Sequence, residues 1–160
     1  MKRSIAKLAI FGSLAATLAL TATLALAQAT SDVVEITRDD IQTGRKEILA
    51  NTMEFTEAEG TAFWPVYNAY RLEIRKVDDK LIKVIMDFAD SYESLTDVQA
   101  ETMVKDLLAA RQEKAKIAAA YLKKFTKVIP PKKTARFYQV ENRMDLIVQI
   151  AAAAEIPLVK

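Results

Sequence analysis

The sequence predicts an all-α chain: an elongated, bent helical hairpin of about four helices. Three observations carry this. Strand-type alternation is nearly absent. Apolar residues recur with steps of 3 and 4 over long stretches, the spacing of one helix face. Helix-start signals recur near positions 56, 96 and 130.

The elements follow in chain order. Lys2, Arg3 and Lys7 precede an apolar run from Leu8 to Leu26, and Ala25-Leu26-Ala27 closes it with small residues. This is the pattern of a secretory signal peptide cleaved after Ala27 or nearby. An uncleaved membrane anchor is the competing reading, but the run is rich in Ala and Thr. The expected location is the periplasm, with no stable membrane span after cleavage. Residues 28–160 then form a single all-helical domain.

Residues 28–36 are expected to be an extended lead, followed by a short helix over about 38–52. The second helix should cover about 57–90. FTEAE at 55–59 opens it: Thr56 can cap, and Glu59 three residues on completes a capping box. Its seam is Phe63, Tyr67, Tyr70, Ile74, Val77, Leu81, Val84 and Phe88. Pro65 should kink it, because proline lacks an amide donor and crowds the preceding turn.

LTDVQ at 95–99 opens the third helix, over about 97–128, with Thr96 and Gln99 as the second capping box. The expected seam is Val104, Leu108, Arg111, Ala115, Ala118, Leu122, Phe125 and Ile129. Pro130 and Pro131 separate it from a fourth helix over about 132–154, since proline suits a first helical turn. Phe137, Val140, Met144, Ile147, Ala151 and Ala154 should form the fourth helix's inward stripe. Leu95 and Phe55, beside the caps, are expected to pack at the helix starts.

The two long helices would each run ~50 Å at about 1.5 Å per residue. A compact domain of this size has a radius of gyration of only ~14 Å. Apolar residues outside the seams, among them Leu72, Ile82, Ile85, Met86, Leu146 and Ile150, point to a homodimer or an exposed apolar surface.

Composition narrows function. The chain has no Cys and no His, which excludes Ser-His-Asp and Cys-His catalysis and removes the commonest metal ligand. Glycine is too sparse for a phosphate-cradling loop, and the carboxylates lack the spacing of a calcium loop. No enzyme activity, cofactor or metal site is expected. The formal net charge of +2 falls to near neutrality without the three leader cations, so nucleic acid is not an expected partner.

Charge is nonetheless segregated. Residues 28–101 carry 8 basic and 16 acidic side chains, while residues 105–136 carry 10 and 2. The second and third helices could simply complement each other. Alternatively, Arg111, Lys114, Lys123, Lys124 and Lys127 could form a cationic surface for client chains.

LTDVQ at 95–99 matches the Leu-Thr-x-x-Gln motif of the Spy/CpxP family of periplasmic proteins, and FTEAE at 55–59 matches it loosely, with Phe for Leu and Glu for Gln. Together with the leader and the hairpin, the chain resembles that family over residues 50–145. The resemblance implies an antiparallel, cradle-like homodimer. It also implies an ATP-independent chaperone or stress-response protein that binds unfolded or misfolded envelope proteins. A second branch implies a regulatory adaptor that restrains the periplasmic domain of an envelope-stress sensor kinase. A third, the divalent-metal sensors, uses His-containing sites, and this chain has no His.

Overall fold

The computed structural model describes residues 43–155, 158 and 159. The leader, its cleavage site, the extended lead and the start of the first helix lie outside the described residues. Among the described residues the structure is all-helical, with four helices. They are α1 (helical through 43–53), α2 (Glu57–Ser91), α3 (Asp97–Phe125) and α4 (Pro131–Glu155). None of them is long and apolar enough to cross a membrane.

Both helix starts form through capping boxes. The Thr56 hydroxyl accepts from the Glu59 amide at 3.2 Å, and the Glu59 carboxylate accepts from the Thr56 amide at 2.8 Å. Thr96 and Gln99 repeat this at 3.3 and 2.9 Å. Each box satisfies two of the amides that a helix start leaves without intrahelical acceptors.

The turns have their own causes. Between α1 and α2, Glu54 adopts φ 49°, the left-handed region in which a helix commonly ends. α3 ends three residues earlier than its pattern predicts. There the Thr126 hydroxyl donates to the Leu122 carbonyl, and both Val128 and Ile129 amides turn back to the Phe125 carbonyl at 3.0 Å. α2 continues through Pro65. Thr61, whose carbonyl loses its amide partner there, is exposed, so water can serve it.

The core sits where the α1–α2 turn, the end of α3 and the start of α4 converge. Phe63, Tyr67, Phe125 and Phe137 are essentially inaccessible, joined by Leu49 and Met53 from α1. Phe125 and Phe137 lie 4.4 Å apart, and Phe63 touches both at 5.5 and 5.3 Å. Such ring pairs contribute about 0.5–1.5 kcal/mol each beyond the area they bury. Toward the hairpin tip the packing thins: Leu81, Val84, Ile85 and Met86 are only half-buried, and Phe88 is the one fully buried side chain of that part of α2.

The α2 seam lies inward along its length. The α3 seam does not. Val104, Leu108 and Leu122 are 48, 57 and 46% exposed, and Arg111 and Ala115 are exposed too. Over α3 the inward residues sit one position earlier, at Met103, Leu107, Ala110, Lys114, Ile117 and Tyr121, with Ala118 of the expected seam half-buried; the expected seam turns inward at its end, at Phe125 and Ile129. Both series step by 4 and 3, so spacing alone does not separate them. Two contacts do: Tyr121 packs on Tyr70 at 5.4 Å, and Lys114 finds acids on both α2 and α4. In α4 the expected stripe holds through Phe137, Val140 and Met144. Ile147 then turns outward, and half-buried Val148 and buried Ala152 take the inner side.

Candidate functional site

Two features stand out: a buried ion cluster that joins all four helices, and an outward apolar stripe on α3.

The cluster draws Arg45 from α1, Arg71 and Asp78 from α2, Lys114 from α3, and Glu141 and Asp145 from α4. Spacing places them. Arg71 and Asp78 are two turns apart on one helix face, and Glu141 and Asp145 are one turn apart. Arg45 donates to Glu141 at 2.9 Å and to Asp145 at 2.5 Å. Arg71 reaches Glu141 and Asp78, both at 3.4 Å. Lys114 pairs with Asp78 at 2.8 Å and Asp145 at 2.7 Å. The Tyr67 hydroxyl donates to the second Glu141 oxygen at 3.3 Å. Among the described residues, three cations thus face three carboxylates in a charge-balanced loop. Balance is required, because an isolated ion in this environment would cost several kcal/mol.

The electrostatics differ between the two α4 acids. Burial pushes the Glu141 carboxyl above its usual range, and Arg45 and Arg71 only partly oppose this. Burial acts the same way on Asp145, but Lys114 and Arg45 outweigh it and hold that carboxyl below its usual range. For Arg45, burial disfavours the charge, while Glu141 and Asp145 more than offset this, so its pKa is raised. Burial also raises the Tyr67 phenol, with Glu141 adding to the shift.

A smaller network ties the start of α2 to α4. Glu59, already closing the first capping box, accepts from Lys133, which also donates to the Glu54 carbonyl at 2.8 Å. Lys133 and the Thr56 amide together hold the Glu59 carboxyl below its usual range. Phe55 lies 4.5 Å from Phe63 and 6.1 Å from Trp64. At the second start, Leu95 is half-buried, while Thr96 and Gln99 are exposed.

The proposed cationic surface divides. Lys114 is a correction: it faces inward and is consumed by Asp78 and Asp145, which leaves it unsuited to client contact. Arg111, Lys123, Lys124 and Lys127 are exposed. They do not share one face, since at ~100° per residue Lys123 and Lys124 project more than about 100° from Arg111. Lys124 stacks over the Tyr121 ring at 3.8 Å. Arg111 instead sits within the outward apolar stripe, between Leu108 and Ala115. Charge complementarity between α2 and α3 is realised at Asp78–Lys114, and Glu73 accepts a hydrogen bond from the neutral Tyr121 hydroxyl at 2.6 Å. Lys80–Glu113 at 2.6 Å reverses the sense.

Arg45, Arg71, Glu141 and Asp145 escape the sequence reading. Their only signal is position: Arg71 follows the seam residue Tyr70, and Glu141 follows Val140. Among the described residues, no group of three or more acids or other ligand types is arranged to hold a metal ion. No family model, curated protein or solved structure matches the chain.

Proposed function

We propose that this chain is a periplasmic, ATP-independent chaperone of the stress-response kind that binds unfolded or misfolded envelope proteins, working as an antiparallel homodimer. One observation supports it above the rest. The stripe Val104, Leu108, Arg111, Ala115 and Leu122 has the spacing of a core seam yet faces outward, with a cation in its middle. A holdase without nucleotide chemistry needs this kind of surface: apolar area, a long cationic side chain with an apolar stem, and no enclosing pocket. Leu146, Ile147 and Ile150 on α4 are exposed apolar side chains as well. The resemblance of the two helix starts to the Spy/CpxP motif points the same way.

The test is aggregation of a chemically unfolded client, without nucleotide, in the presence of the mature chain. Suppression is expected. Its absence at several-fold molar excess overturns the proposal. Leu108→Asp with Leu122→Asp should abolish suppression while changing stability by no more than about 0.5 kcal/mol per site, as exposed substitutions do. The second reading, an adaptor that restrains a sensor kinase, uses the same stripe against one folded partner. Capture of one stoichiometric partner from envelope extracts, with no suppression of aggregation, would favour it.

A further inference from the structure

Between α1 and α2, beside the ion cluster, lies an open cleft of about 240 Å³. Among the described residues, half of the lining side chains are cationic (Arg45, Lys46, Arg71 and Arg75), and none is acidic. The four differ in state. Arg45 and Arg71 are buried and fixed by their ion pairs, so they present charge with little rotamer freedom left to lose. Lys46 and Arg75 are exposed and make no ion pair among the described residues. The cluster's carboxylates balance Arg45, Arg71 and Lys114, so Lys46 and Arg75 leave the cleft with a positive excess.

Two further features point to a ligand. The Arg45 Nε–H is buried and has no acceptor among the described residues. A buried donor left unmade is costly, and Arg45 lines the cleft, so an anion held there would offer it an acceptor. The rim also offers the Asn68 amide and Leu72, whose side chain is 62% exposed. Cations, an amide donor and one bare apolar residue suit an oxyanion attached to a short apolar segment.

We propose that this cleft binds a small oxyanion, a carboxylate or a phosphate. The site is distinct from the α3 stripe and does not depend on the chaperone reading. Acetate, hexanoate and inorganic phosphate serve as probes, each titrated calorimetrically into the purified chain at ~20 mM and ~150 mM salt, where screening lengths differ more than twofold. Saturable one-to-one binding that weakens with salt is expected. Hexanoate exceeding acetate identifies a carboxylate source that uses Leu72, and Leu72→Ser should remove that preference. Phosphate exceeding both identifies a phosphate source at the same site.

Lys46→Ala with Arg75→Ala removes only exposed side chains, so the fold, read by circular dichroism, should persist. Affinity should fall at least about tenfold, the scale of losing charge-assisted contacts. Arg111→Ala, on another helix, should leave affinity unchanged. The proposal is overturned if no probe binds saturably. It is equally overturned if binding survives the double substitution, or falls as much with Arg111→Ala, because the anions would then be condensing on general positive charge.

Discussion

Arg45 and Glu141 stand 96 positions apart in the chain and 2.9 Å apart in the fold, both side chains almost wholly removed from water. This pair closes α1 onto α4, and Arg71 and Lys114 extend the closure to the other two helices. Arg45→Ala would leave Glu141 and Asp145 buried and short of positive charge. A loss of about 3–5 kcal/mol is expected, the usual result of breaking one side of a buried pair. Urea unfolding measures it, and a loss below about 1 kcal/mol would show that water replaces the guanidinium.

The two α4 acids should affect acid stability in opposite directions. Asp145 has a lowered folded pKa, so it contributes stability above its ordinary value of 3.8 that is lost as pH falls through the lowered value. Glu141 has a raised folded pKa. Its proton-linked contribution is therefore fully present below its ordinary value of 4.5 and is lost as pH rises through the raised value. Asp145→Asn should flatten the dependence of stability on pH below the ordinary aspartate value of 3.8, and Glu141→Gln should steepen it above the ordinary glutamate value of 4.5. Urea midpoints on either side of these values test the pair; slopes that move together would contradict the assignment.

Thr96→Ala removes one capping hydroxyl at an exposed helix start. A cost of about 1 kcal/mol is expected. An unchanged thermal midpoint would mean that water serves the Gln99 amide equally well.

Glu54→Gly should stabilise the protein. A side chain in the left-handed region costs roughly 1–2 kcal/mol, which glycine avoids. The exposed Arg136–Glu54 contact at 3.7 Å offsets little of this, since such pairs contribute ~0–1 kcal/mol. A net gain of about 0.5–1 kcal/mol, seen as a higher melting temperature, is the expected outcome.

The helices and their starts were legible because their causes are local. Thr56 with Glu59, and Thr96 with Gln99, need only three residues of spacing, and Pro130-Pro131 interrupts the chain wherever it stands. The facing of α3 was not legible. Two apolar series one residue apart both fit a helix face, each interrupted by one cation, Arg111 in one and Lys114 in the other. Which cation turns inward depends on Asp78, 36 positions back, and on Asp145 of the next helix. The ion cluster was hidden for the same reason. Its members look like ordinary surface charge in each helix taken alone, and only the packing of four helices brings them together. Glu54 gave no warning either, since glycine or asparagine usually marks a left-handed turn.

The two capping boxes are alike in chemistry but differ in what they are attached to. Glu59 is bound to Lys133 of α4, so the amides at the start of α2 can open only if that tether lets go. Among the described residues Gln99 has no such tether, and the start of α3 lies at the thinly packed tip. Its amides can therefore exchange with solvent by fraying a single turn, while those of α2 wait for a larger opening. Two nearly identical stretches of sequence thus act as two different clocks: one reports the breathing of the tip, the other the integrity of the whole helical junction.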